Sequence, residues 1–124
     1  MIHLNGFSQC SPCPQSKGQW KNPRDRSIPG YRDLEHWIDV ARVLERGRFD
    51  AFFFADVHGT YDVYAGSRDA AVRHGVQIPC HDPTVLIPVL AREVPHLGFA
   101  STYSTSYFPP YHTAKLFSTL SARR

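Results

Sequence analysis

The sequence predicts an α/β fold in which parallel strands alternate with helices. A helix-period segment leads almost directly into the apolar run FDAFFFAD at residues 49–56, which is typical of a strand buried on both faces of a parallel sheet. Two more strand-like segments each stand next to a helix-like segment, giving the order β-α-β-α-β-α. This order favours an open doubly wound sheet or part of an eight-stranded barrel. No strand is followed by G-x-G-x-x-G, which weakens the first alternative.

The composition is that of one ordinary globular domain. The chain has 124 residues, of which 42% are hydrophobic, 20% charged and 13% aromatic, which argues against disorder. A net charge of +3 with scattered basic residues does not favour a nucleic-acid partner. The sequence shows no apolar run of membrane-spanning length and no secretory signal. We therefore expect no membrane partner, a cytoplasmic location and reduced cysteines.

The first part of the chain is predicted to contain one strand, a loop and one helix. Alternating apolar residues predict a strand at residues 2–7. The polar, proline-rich residues 8–30 predict a long loop. Apolar residues at helical spacing predict a helix over 31–47. Gly47 stands where a left-handed glycine would end that helix.

The middle of the chain combines a long irregular segment with a helix. Residues 57–81 have no sustained period, and a connection of that length is expected to be functional or a lid. Its SRDAAVRHG stretch is compatible with a short helix. The next helix is predicted to begin with Asp82 as N-cap and Pro83 at its first position. Pro88 lies within it and is expected to kink it near Thr84.

The carboxyl ends of the predicted strands indicate two candidate site residues. Residues 97–104 predict the third strand and residues 109–120 the third helix. Asp56 ends the second strand and Thr102 lies near the end of the third, at the edge where parallel α/β folds place their sites. Asp56 is interpreted either as a ligand contact or as a cap or ion-pair partner. For Thr102, strand propensity alone is also a sufficient explanation.

The C-x-x-C pair formed by Cys10 and Cys13 is not readily explained by metal or redox chemistry. A structural zinc site needs four ligands, and Cys80 is the only other cysteine. A thioredoxin-like pair is expected at the start of a helix, whereas this pair lies in a proline-rich stretch. Free thiols, packed or facing solvent, are the favoured interpretation, and no metal site is predicted.

Two long segments resemble a known enzyme family. LERGRFDAFFFADVHGTYDVYAGSRDAAVRHGVQIPCHDPTVLIPVLA and LGFASTYSTSYFPPYHTAKLFSTL closely resemble the bacterial-luciferase-like flavin-dependent monooxygenases. The nearest branch contains nitrilotriacetate monooxygenase component A and dibenzothiophene sulfone monooxygenase. The resemblance covers residues 2–120. It is specific, because GTYDVYAGSRDAAVRHGVQIP and YFPPYH are not general features of barrels.

The resemblance implies a fold, a cofactor and a partner. The implied fold is the first three βα units of a TIM-type (β/α)8 barrel, with residues 1–124 as a partial luciferase-like domain and 57–81 as an insertion loop. The family uses reduced FMN, supplied by a separate NAD(P)H:flavin reductase, and O₂ to oxygenate a small organic substrate. By the same resemblance, Asp56 and Thr102 correspond to residues that contact the flavin.

The resemblance also bears on the end of the chain. Family members continue after FSTL into a fourth strand, so this chain is expected to be an N-terminal portion, with little or no oxygenase activity and weak FMN affinity. The alternative is a non-enzymatic interaction module or homo-oligomer that pairs through its sheet edge.

Overall fold

A computed structural model describes residues 1–12 and 21–122 and contains a three-stranded parallel sheet. The strands β1 (Asn5–Gln9), β2 (Ala51–Ala55) and β3 (Gly98–Ser101) lie side by side in chain order. This arrangement confirms the predicted α/β class, and the sheet is not closed within the described ranges. The helices are α1 (Ser27–Gly30), α2 (Leu34–Arg46), α3 (Asp69–Arg73), α4 (Ile87–Glu93) and α5 (Pro110–Ser121), with a 3-10 turn at Pro83–Val85 before α4.

The two faces of the sheet differ in how well they are covered. The buried rings of Phe52 and Phe54 lie 6.3 and 5.5 Å from the ring of Trp37 on α2. Because successive side chains of a strand point to opposite faces, Phe53 faces the other way, and its ring lies 5.8 Å from that of Phe7. Phe7 is 52% exposed. The predicted burial of β2 on both faces is therefore complete only on the helix side.

Helix α2 is stabilised by a capped first turn and by the burial of one apolar face. The Asp33 carboxylate accepts a hydrogen bond from the backbone N–H of Glu35 at 3.1 Å and caps the first turn. Trp37, Ile38 and Ala41 fall on one face of the helix and are buried. The main core lies between this face, the sheet and α4, and its buried members are Cys10, Trp37, Ile38, Ala41, Phe52, Phe54, Leu90, Val94 and Leu97.

The end of α2 differs from the prediction in its backbone geometry. Gly47 keeps a φ of −73° and donates its N–H to the Val43 carbonyl at 2.9 Å. The left-handed residue is Arg48, with a φ of 59°. A Cβ at position 47 would lie 3.2 Å from the Phe49 ring, so a side chain there would need that ring to shift slightly.

The first strand is shifted from its predicted position. The sequence predicts residues 2–7, whereas β1 is Asn5–Gln9. Ile2 and Leu4 are 87% and 50% exposed, so their alternation does not mark a buried face. The strand instead begins opposite the start of β2, and the Leu4 N–H is taken by the Asp50 carboxylate at 2.7 Å.

The predicted loop over residues 8–30 contains the end of β1 and a short helix. Ser27–Gly30 form α1, whose approach is fixed by an Asp25 side chain that accepts the Ser27 N–H at 2.8 Å. Short helices of this kind have too few positions to show an apolar period. Residues 13–20, including the second cysteine of the C-x-x-C pair, lie outside the described residues.

The helix predicted after Asp82 is divided in two. Asp82 is the N-cap as predicted, and its carboxylate accepts the Thr84 N–H at 2.9 Å. However, Pro83–Val85 form a 3-10 turn, and the α-helix proper is Ile87–Glu93. Pro88 therefore lies in the first turn of α4, where its absent N–H has no partner to lose. In place of the kink predicted near Thr84, the helix is interrupted between the 3-10 turn and α4.

The remaining elements lie close to their predicted positions. The third strand, predicted at residues 97–104, is Gly98–Ser101, and the helix predicted at 109–120 is Pro110–Ser121. Residues 57–81 contain only the short α3. None of the helices in the described ranges has the length and apolar character of a membrane span.

Helix α5 leaves much apolar surface open. None of its residues is buried, and its Tyr111 is 72% exposed. The chain of 14.1 kDa exposes 8947 Å², roughly a third more than the scaling for compact monomers gives. The sheet and α5 therefore offer surface that is available for further packing.

Candidate functional site

Two buried polar residues flank the core residue Cys10 at the end of β1. Gln9 and Ser11 are each 1% exposed, and Cys10 between them is 0% exposed. The Cys10 carbonyl accepts the His81 N–H at 2.8 Å, which holds the segment before α4 over this strand end. Gln9 Oε1 and Ser11 Oγ have no hydrogen-bond partner. Buried polar atoms in native proteins are normally paired, so these two atoms indicate a place for a water or a ligand.

Asp56 follows β2 directly and is the most enclosed carboxylate of this edge. Its side chain is 8% exposed. The Cys80 thiol donates to Asp56 Oδ1 at 3.4 Å, and His58 Nε2 lies 3.2 Å from Asp56 Oδ2. The Gln9 side-chain amide in turn donates to Cys80 Sγ at 3.9 Å. One hydrogen-bonded chain therefore joins the ends of β1 and β2.

Thr102 lies at the same edge, one position beyond β3. Its backbone N–H donates to the Phe54 carbonyl at 2.9 Å, which continues the β2–β3 ladder. Gln9 on β1 pairs with Ala55 on β2, and Thr102 lies beside Ala55 on the β3 side. The small side chain of Ala55 therefore stands between the side chains of Gln9 and Thr102, on the sheet face away from α2. Thr102 is exposed.

Both described cysteines of this edge are free thiols that resist ionisation. Burial raises the pKa of Cys10 to about 12, with a smaller contribution from nearby Cys80. Burial also raises the pKa of Cys80, and the Asp56 carboxylate acts in the same direction. A thiolate is the reactive form of cysteine, so both thiols stay in the protonated form, in which Cys80 donates to Asp56. Within the described residues, no group of three or more His, Cys, Asp or Glu side chains could hold a metal ion.

Aromatic rings from the segment after β3 close one side of the edge. The His58 ring lies 5.2 Å from that of Tyr107 and 5.5 Å from that of Phe108. Phe108 stacks on Tyr103 with centroids 4.3 Å apart, and Tyr103 meets Phe117 of α5 edge-on at 5.4 Å. The segments after β2 and β3 are thus packed together through rings.

The long segment 57–81 contributes an apolar groove. A cavity of ≈ 550 Å³ is lined mainly by apolar side chains that include Val63 and Val76. Tyr61 lies at its wall and donates its hydroxyl to Gln77 Oε1 at 2.6 Å. Gln77 is 6% exposed. The segment is therefore anchored by a buried polar contact while it presents an apolar surface.

Sequence reasoning placed Asp56 and Thr102 at this edge and missed Gln9, Ser11 and Cys80. Gln9 and Ser11 escape it because the sequence predicts a first strand that ends at residue 7, whereas β1 ends at Gln9. A strand that extends to Gln9 puts these two polar residues at a carboxyl end, which is the signal that selects Asp56. The contact between Cys80 and Asp56 spans 24 positions of irregular chain, and no local pattern predicts it.

Comparison with known proteins identifies the fold and the relatives of the chain. No protein-family profile matches it. It is 47% identical to the long-chain alkane monooxygenase of Geobacillus thermodenitrificans and 42% identical to the dimethyl-sulfide monooxygenase of Hyphomicrobium sulfonivorans, each over 96% of this chain. The chain is homologous to the luciferase-like flavin monooxygenases. Its resemblance to this family, stated from the sequence, is thereby confirmed.

Solved structures of the family place the fold. The crystal structure of long-chain alkane monooxygenase superimposes with a TM-score of 0.90 over 96% of this chain. A riboflavin lyase, solved with modified FMN and riboflavin, superimposes with a TM-score of 0.80 at 25% identity over 97% of this chain. The predicted fold, the first three βα units of a TIM-type barrel, is confirmed. The chain spans about a quarter of the length of the relatives it matches, namely 27% of the alkane monooxygenase and 25% of the dimethyl-sulfide monooxygenase.

Proposed function

We propose that the carboxyl edge of the sheet forms part of a reduced-FMN site in a two-component monooxygenase, with Asp56 and Thr102 as flavin contacts. The observation that carries the proposal is the convergence of polar side chains from all three strand ends on one edge. Asp56 is almost fully enclosed there, with its side chain 8% exposed. The homologues are flavin-dependent monooxygenases, which supports a flavin as the ligand of this edge.

The residues present fit an isoalloxazine ring. The reduced ring carries N–H donors at N3 and N5 as well as several acceptors, so it is matched by carboxylate or amide oxygens together with a hydroxyl. Asp56 supplies a carboxylate with capacity beyond its two present partners, because a carboxylate accepts at about four positions. Gln9 Oε1 and Ser11 Oγ are buried without partners, and Thr102 adds an exposed hydroxyl. The donor set therefore matches the hydrogen-bonding groups of the ring.

The flavin supplies the oxygen chemistry when it is bound, and the protein supplies binding and orientation. Asp56 would accept a ring N–H, and Thr102 on the neighbouring strand would offer its hydroxyl to a ring acceptor. The rings of His58, Phe108 and Tyr103 pack together beside this edge.

The proposal extends to a substrate and a partner. The apolar groove of ≈ 550 Å³ beside Tyr61 is suited to a small organic substrate with apolar character. The relatives named above act on alkanes and on dimethyl sulfide, which supports this class. We propose that reduced FMN comes from a separate NAD(P)H:flavin reductase; a relative is named nitrilotriacetate monooxygenase component A, which supports a system of more than one component. A cytoplasmic location, where NAD(P)H is available, stays a prediction.

Titration of FMN fluorescence with the 124-residue chain tests the proposed contacts. We expect saturable but weak binding, with a Kd above the micromolar range, because the chain spans only 25–27% of the length of its relatives. Asp56→Ala should weaken it about tenfold, the loss of one hydrogen bond to a charged group. Asp39→Ala on α2, where the carboxylate is 75% exposed, is the matched control. Equal affinities for the two variants would contradict the role of Asp56, and micromolar or tighter binding would contradict the expected weakness.

A second candidate function is that of an interaction module that associates through its open surface. The observation that favours it is the exposed area of 8947 Å², roughly a third above the expectation for a compact monomer. Light scattering after size exclusion distinguishes the two. A dimer or larger species supports the module, and a clean monomer counts against it.

A further inference from the structure

We infer that His58 and Cys80 are positioning residues that fix the Asp56 carboxylate from both sides, one side chain on each oxygen. Cys80 Sγ lies 3.4 Å from Oδ1 and His58 Nε2 lies 3.2 Å from Oδ2. The inference rests on the proposed function, because it assigns the carboxylate to flavin binding. It adds His58 and Cys80, which are neither candidate residues from the sequence nor among the proposed flavin contacts.

Cys80 is itself held in place from β1. Gln9 Nε2 donates to Cys80 Sγ at 3.9 Å, and the next residue, His81, is tied to the Cys10 carbonyl at 2.8 Å. Because burial raises the pKa of Cys80, its thiol keeps the proton that it donates to Asp56. The thiol therefore transmits the position of β1 to the carboxylate at the end of β2.

His58 is held in place from the other side. Its ring packs against Tyr107 at 5.2 Å and against the edge of Phe108 at 5.5 Å. Both residues belong to the segment after β3, so the orientation of the imidazole depends on that segment. The Asp56 carboxylate is thus connected to β1 through Cys80 and to the segment after β3 through His58. The His58 side chain is 31% exposed.

A carboxylate held in this way binds a ligand N–H with less loss of conformational freedom. Two of its about four acceptor positions are occupied by His58 and Cys80, and the others stay available for the flavin. The two positioning contacts should therefore strengthen FMN binding although neither residue needs to touch the cofactor.

Pairs of variants separate the hydrogen bonds from side-chain shape. Cys80→Ala removes the thiol donor and His58→Phe removes the polar contact to Oδ2, whereas Cys80→Ser and His58→Gln keep a polar group at each position. We expect the first two to weaken FMN binding about threefold to tenfold, as the loss of a hydrogen bond predicts, and the second two to restore most of the affinity. His112→Phe, at the exposed start of α5, is the control for the histidine substitution. Equal FMN affinity in wild type, Cys80→Ala and His58→Phe would overturn the inference.

A second readout does not depend on FMN. A thiol that donates to a carboxylate absorbs at a lower S–H stretching frequency than a free thiol, and Cys80→Ser identifies the band by removing it. The band should move to higher frequency in Asp56→Ala, and an unchanged band would overturn the inference. Undetectable FMN binding by the wild-type chain with a shifted band would contradict the proposed function while leaving the positioning contacts supported.

Discussion

Raising the pH should destabilise the chain through the buried thiol of Cys10. Cys10 is 0% exposed, and burial raises its pKa from 9.0 to about 12. In the unfolded chain the thiol returns to its ordinary pKa, so between these values only the unfolded chain releases the proton. The stability contributed by the neutral thiol is therefore fully present below pH 9 and is lost as the pH rises towards 12. At pH 11 the loss amounts to about 2.7 kcal/mol, taken as two pKa units.

Urea unfolding of the wild type and of Cys10→Ala, in reducing buffer between pH 7.5 and 11, isolates this effect. All other ionisable side chains are common to both proteins. The free energy of unfolding of the wild type should fall more steeply, so that the advantage of the wild type over Cys10→Ala shrinks by about 2.7 kcal/mol at pH 11. Parallel pH profiles for the two proteins would refute the assignment of a raised pKa to a buried Cys10.

Three further predictions concern the sheet and the start of the turn before α4, and urea unfolding checks each of them. Gly98→Ala places a Cβ 2.9 Å from the Asp50 carbonyl oxygen and should cost about 1–3 kcal/mol. Gly59→Ala, with nothing within 4 Å, should stay within about 0.5 kcal/mol of the wild type, and equal costs would contradict the close approach. Phe54→Ala, at 0% exposure, should cost about 3–5 kcal/mol; a cost below that of Gly98→Ala would argue against its place in the core. Asp82→Ala removes the cap on the 3-10 turn and should cost about 0.5–2 kcal/mol, whereas no loss would show that the cap is not needed.

The sequence predicts best those elements whose pattern is carried by their own residues. The apolar face of α2 and the proline start of α5 place both helices to within a few positions of their observed bounds, Leu34–Arg46 and Pro110–Ser121. By contrast, β1 is defined by its pairing with β2, which no property of residues 2–7 encodes. The alternating apolar residues Ile2 and Leu4 are exposed in the structure, and the pairing with β2 decides where β1 begins.

In the candidate site, too, the residues marked by their sequence neighbours were predictable, and those placed by distant contacts were not. Asp56 follows an apolar run directly, so its position at a strand end could be predicted from neighbouring residues alone. Its partners could not, because Cys80 reaches it from a segment that is ordered by contacts such as that between His81 and Cys10. His58 is two positions away in sequence, but the rings that orient it come from residues about fifty positions later.

The most direct test of the flavin-site proposal is an NMR titration of the ¹⁵N-labelled chain with oxidised FMN, which detects binding even at millimolar affinity. The largest shifts should fall on the three strand ends, at the amides of residues 9–11, 56–58 and 102–103, and Asp56→Ala should suppress them. Shifts confined to the outer surface of α2, or no shifts at any FMN concentration, would contradict the proposal.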